Sequence, residues 1–198
     1  MKDIGVFTMN EIEKDDLIEL ADEIKDEELR KGTKELLENL ELTNESFEYE
    51  KSDLEDLPCW IGGHHYYKGG LVDHIYSVVN LCIDMADRFE EIYETDLDRD
   101  SLISAALLHD LAKQFIIKNV NNFRESSLDH EVWMSCELYS RDFPEKVIEI
   151  IMGHGGESRE AFPKSDEARI LHHTDSLDAE INQEDALGGG ALIELQEE

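Results

Sequence analysis

Ser104-Ala105-Ala106-Leu107-Leu108-His109-Asp110-Leu111-Ala112-Lys113 sets an imidazole and a carboxylate side by side in an otherwise apolar run. The stretch reads as part of a helix from about Asp100 to Phe115. A carboxylate in such surroundings is costly unless it is coordinated or hydrogen-bonded. Neighbours on a helix point about 100° apart, so His109 and Asp110 serve one centre only if an ion sits between them or Asp110 bridges two ions. On this stretch alone two explanations compete: a hydrogen-bonded His-Asp pair in a core, and a pair of metal ligands.

Working outward, other ligand types shift the balance toward metal. His74 lies 35 positions before the pair and Asp175 lies 65 positions after it, each beside apolar neighbours in a helical stretch. Three helices can therefore deliver four ligands to one point. His130 and His154 fall at the start of one expected helix and just past the end of another, and with a bridging Asp110 they could hold a second ion. Imidazole and carboxylate ligands suit Mn, Fe, Co, Ni, Zn or Mg, so one or two divalent metal ions are the expected cofactor. Two ions about 3.5–4 Å apart would share an activated water and clamp a phosphoryl group.

From Gly70 to about Tyr93, Leu71, Ile75, Val78, Val79, Cys82, Ile83 and Ala86 recur at spacings of three and four and mark one face of a long helix. Further helices are expected over about Asp129 to Ser140, Pro144 to Met152 and Asp166 to Glu180, with two short amphipathic ones between Glu11 and Leu42. Residues 43–69 break the helical period and form a long connection. Strand-like alternation is nearly absent, so the expected fold is all-α, a helical bundle with a metal site between helices. The tail, 183–198, holds Gly188-Gly189-Gly190 and Ala191-Leu192-Ile193, expected as a docked strand or a frayed end.

A length of 198 residues suits one domain over 1–198. No run reaches the roughly 18 apolar residues of a membrane span. The opening Met1-Lys2-Asp3-Ile4 has no apolar signal segment, so a cytoplasmic protein is expected. Cys59, Cys82 and Cys136 lack CxxC spacing and read as reduced packing residues. The 49 acidic residues against 18 basic give a formal charge of −31, spread along the whole chain. Such self-repulsion is relieved where the Debye length falls to about 3 Å at 1 M salt, so a halophilic-type acidic surface is expected.

The order His74, then His109-Asp110, then Asp175 resembles the H…HD…D pattern of the HD superfamily of metal-dependent phosphohydrolases, and HDLAK at His109–Lys113 resembles its HDxxK form. HHYYKGGLVDH at His64–His74, DHE at Asp129–Glu131, GHGG at Gly153–Gly156 and PKSDEARILHHTDSLDAE at Pro163–Glu180 look like blocks of the branch that includes the bacterial HD-domain 3′-to-5′ exoribonucleases. The likeness spans about residues 15–182. It implies a helical bundle, a divalent metal, and hydrolysis of a phosphoester or phosphoanhydride of a nucleotide or short oligonucleotide by metal-activated water. It implies metal ligation by His74, His109, Asp110 and Asp175, with His130 and His154 as second-metal or phosphate-contact positions. By the same likeness Asp110 and Lys113 are catalytic, Lys113 meeting a phosphate, and His64 and His65 line the substrate.

The first 60 residues lack the strand pattern of the OB-type module that those exoribonucleases carry, so the expected partner is a phosphate-containing small molecule or short oligonucleotide, without stable duplex binding or a membrane. Gly69-Gly70 could permit close backbone approach at a helix start. His172 and Asp178 are expected to orient ligands rather than bind metal. Trp133 and Phe143 read as core, and Arg159, Lys164 and Arg169 as solvated charge. Two other functions fit the same groups: a di-iron oxygenase on this scaffold, and a non-catalytic regulator binding metal or nucleotide.

Overall fold

The computed structural model describes residues 12–119 other than 48, then 122–123, 129–155 and 162–186, the side chains of 183–186 excepted. Its centre is α4 (Arg99–Leu108), in which every residue from Ser101 to Leu108 is buried. A helix apolar on all faces has to be surrounded, and α4 is. It packs against α2 (Glu27–Glu38), α3 (Gly70–Tyr93), α7 (Glu145–Gly153) and α8 (Asp166–Ala186). α1 (Lys14–Leu20) lies on α2 and α3, while α6 (His130–Ser140) covers α7. One continuous core runs through these contacts. Truncating Leu107 or Leu108, both fully buried, to Ala would cost about 2–5 kcal/mol.

Polar groups fix how α4 enters this core. Asp98 caps its first turn by accepting from the Ser101 amide and hydroxyl. The Asp100 carboxylate accepts from the amides of Lys25 and Asp26, and Asp26 in turn caps α2 through Glu28 and Leu29. Deeper in, Thr33 and Ser104 satisfy one another at 2.8 Å.

The long helix α3 starts where expected, and its glycines are required. Gly69 has φ +84°, in the left-handed region. A Cβ on Gly70 would stand 2.1 Å from the His65 carbonyl oxygen, so only glycine lets the 59–65 loop lie against the helix start. That loop is closed by the Cys59 amide donating to the same carbonyl.

Three expectations are corrected. The helix expected from Asp100 to Phe115 ends at Leu108; a tight turn carries His109 to Ala112, and a short α5 (Lys113–Ile116) follows. Bonds of Leu111 N to Leu108 O and Lys113 N to Asp110 O replace the helical spacing, re-aiming the His-Asp pair at the helix end. Past α5, β1 (Ile117–Asn119) pairs antiparallel with β2 (Asn122–Phe123), a ladder too short to show alternation. α8 continues beyond Glu180 to Ala186. Residues 187–198 and Arg159 lie outside the described residues. Among the described residues no helix is long and apolar enough to cross a membrane.

Candidate metal centre

Four histidine rings meet between α3, α4, α6 and α7, and three of them have Nδ1 hydrogen-bonded behind the ring. His109 and His154 cap the C-termini of α4 and α7, where carbonyls lack helical partners. Each folds its ring back onto the carbonyl three residues earlier, His109 Nδ1 to Ala106 O at 2.8 Å and His154 Nδ1 to Ile151 O at 2.6 Å. A carbonyl only accepts, so the proton sits on Nδ1 and the Nε2 lone pair faces the centre. His74, in the second turn of α3, has Nδ1 2.7 Å from Asp178 Oδ2. His130, the first residue of α6, has Nδ1 3.4 Å from Glu131 Oε2.

The Nε2 atoms then converge in pairs, His74 and His109 at 3.4 Å, His130 and His154 at 3.3 Å. With Nδ1 of His109 and His154 protonated, the Nε2 lone pair of each faces a neighbouring ring that must either donate a proton to it or share a cation with it. Carboxylates complete both groups. Asp175 Oδ1 lies 3.1 Å from His74 Nε2 and 3.9 Å from His109 Nε2. Asp110 stands between the two pairs: Oδ2 is 3.4 Å from His74 and 3.5 Å from His109, while Oδ1 is 3.0 Å from His130. His74, His109 and Asp175 form one set able to hold an ion; Asp110, His130 and His154 form another. The nitrogen and carboxylate donors fit a borderline divalent ion.

The electrostatics agree. Burial pulls His74 down, but Cys59 and hydrogen bonds from Asp175 and Asp178 outweigh it and push the group well above its ordinary range. Burial likewise raises Asp110, yet the Lys113 ammonium with His109 and His130 holds it well below the usual carboxylate range. Burial takes His109 down to about 4, leaving its imidazole neutral. The cavity thus favours positive charge while keeping a neutral nitrogen to bind it.

Other expected residues take varied places. Lys113 is buried, its Nζ donating to Asp110 Oδ2 and lying 3.4 Å from Cys59 Sγ. His64 packs against His74 at 4.9 Å between ring centroids, and its Nδ1 is buried without a hydrogen-bond partner. His65 lies behind the centre, between Tyr67 Oη at 2.9 Å and Asp178 Oδ2 at 2.7 Å, so both its ring nitrogens are engaged in bracing. Asp178 also accepts from Ser77, gathering α3, α8 and the 59–65 loop onto one carboxylate. His172 Nδ1 bonds the His154 carbonyl at 2.7 Å and ties the end of α7 to α8. Asp178 and His172 thus brace residues of the candidate centre.

Cys59 was not foreseen here. Read as a packing residue, it stands 3.6 Å from Asp110 Oδ2 and forms a third cluster with His74 and Asp110. An isolated cysteine carries no spacing signal; only the loop closing on α3 brings it in.

The HD domain family matches residues 71–180 of the chain. The chain is also 42% identical over 171 residues to the dihydroneopterin 2′,3′-cyclic phosphate phosphodiesterase of Methanocaldococcus jannaschii, an alignment covering 84% of this chain and 69% of that protein. No solved structure shows a significant match. These findings support the superfamily but not the particular likeness to exoribonuclease HD domains. The chain belongs to the HD domain family and is a metal-dependent phosphohydrolase.

Proposed function

We propose that the chain opens a small cyclic phosphodiester, of the kind named for its Methanocaldococcus relative, at a centre of two divalent ions. The observation that carries this reading is Asp110, whose two oxygens face two separate histidine pairs. His74, His109, Asp110 and Asp175 would hold one ion, and Asp110, His130 and His154 the other. When bound, such ions lower the pKa of water and draw charge from phosphoryl oxygens. The reaction adds water to phosphorus and breaks one ring P–O bond; the freed oxygen takes up a proton and leaves a hydroxyl beside a phosphate monoester.

The protein's own groups prepare that step. Asp178, Ala106 O and Ile151 O fix the tautomers of three histidines before substrate arrives. Lys113 holds a cation at the edge of the centre, within reach of a non-bridging phosphoryl oxygen. His64 offers an unpaired Nδ1 on the same side. The continuous core through the described residues supports reading the chain as one domain, and the three free cysteines support a cytoplasmic setting.

The test is a manganese-supplemented assay in high KCl with dihydroneopterin 2′,3′-cyclic phosphate, nucleoside 2′,3′-cyclic phosphates and a dinucleotide. Turnover of a cyclic phosphate by the wild type, lost in Asp110→Asn, is the expected result. Turnover of the dinucleotide alone would move the function to oligonucleotides.

A further inference from the structure

We propose that Trp60, backed by Phe123, is the stacking platform for a planar heterocycle on the substrate; the inference rests on the phosphodiesterase reading above. Trp60 is 43% exposed and Phe123 44%, although both are large apolar side chains, and Lys113 joins the indole to the Asp110 carboxylate. They are not loose. Their ring centroids are 5.2 Å apart with planes tilted by 56°. Beneath the indole lies Gly63, where a Cβ would come within 2.7 Å of Trp60 Cδ1. The Gly63 amide donates to the Trp60 carbonyl, so the turn that seats the ring is itself hydrogen-bonded. On a further side Lys113 Nζ stands 5.7 Å from the indole centroid.

Among the described residues the indole is therefore held by three neighbours and otherwise exposed, and the neighbour toward the interior is the ammonium that reaches Asp110. An aromatic face next to a cation and a phosphoryl centre matches a phosphate ester whose other end is a flat ring. A sugar or short polyol would span from that face to the phosphorus. A simple alkyl phosphate would leave the indole exposed, and a long helical nucleic acid would keep its bases stacked on each other. The 59–65 loop thus does two things: Cys59 and His64 turn inward to the ligands, while Trp60 turns outward to the ring.

The manganese-loaded full chain is assayed with dihydroneopterin 2′,3′-cyclic phosphate and with glycerol 1,2-cyclic phosphate, which has no ring. Wild type is compared with Trp60→Ala, Trp60→Phe and Gly63→Ala, the last displacing the indole without removing it. The ratio of kcat/KM values, ring-bearing over ring-free, is expected to fall roughly tenfold to a hundredfold in Trp60→Ala, mostly through KM. Trp60→Phe should recover most of it, and Gly63→Ala should lie between. An unchanged ratio in Trp60→Ala overturns the platform even if both probes are hydrolysed. If the wild type hydrolyses neither probe, calorimetric binding of guanosine 3′-monophosphate and of inorganic phosphate decides instead. A nucleotide preference lost in Trp60→Ala keeps the platform while the cyclic-phosphodiesterase reading falls; no such preference in the wild type, or its survival in Trp60→Ala, overturns the platform.

Discussion

The two histidine pairs of the candidate metal centre are built differently. The half around His74 and His109 draws on fully buried rings, and Asp178 behind it is fixed in turn by Ser77 and His65. The half around His130 and His154 hangs on two helix ends, and the His130 side chain is 13% exposed on the first residue of α6. His74 and Asp175 stand in the bodies of α3 and α8 and are positioned by the core, so that His109 alone of the first half's ligands caps a helix end, whereas both His130 and His154 move with a terminus. The first half should therefore bind its ion more tightly and tolerate less change.

The largest expected effect is at the residue common to both halves. Asp110→Asn should lower turnover by at least about a thousandfold and reduce metal content in both halves, measured by single-turnover kinetics and elemental analysis. His74→Ala should come next, removing the tighter ion and costing more activity than His130→Ala under saturating manganese. Equal losses in those two variants would erase the distinction between the halves. Asp178→Asn leaves every ligand in place but unbraces His74, and should weaken metal binding roughly 10–100-fold, read by metal titration. A smaller change follows at Gly70→Ala, where the new Cβ meets the His65 carbonyl: a loss of about 1–3 kcal/mol in denaturant unfolding, with the 59–65 loop displaced. Smallest is the salt response. Screening a formal charge of −31 should raise Tm steadily with KCl, and a flat curve would remove the halophilic reading.

The same contrast governs what could be read from the sequence. His109 and Asp110 stood out because two polar groups in an apolar run need a partner, and α3 was marked by its buried stripe. His130 and His154 were legible as residues at helix boundaries, which is where the structure puts them. Local pattern did not reveal that α4 stops at Leu108, because Leu111 and Ala112 continue the apolar run while the backbone turns. Nor did it separate the roles of His64 and His65. The two are adjacent and chemically identical, yet the positive φ of 44° at His65 sends one ring toward His74 and the other toward Asp178. Cys59 and Trp60 carry no local signal as site residues for the same reason: their partners Asp110, Lys113 and Phe123 lie in the turn after α4, on α5 and on β2, more than 50 positions away.

The most direct test of the account is the metal content of the chain purified without chelator or affinity nickel and reconstituted in manganese, wild type beside Asp110→Asn. Two ions per wild-type chain and a loss from both halves in the variant are predicted, because the Asp110 carboxylate stands within 3.5 Å of rings in both histidine pairs. A wild type that takes up no metal, or an Asp110→Asn variant that keeps both ions, would contradict the bridging role on which the mechanism rests.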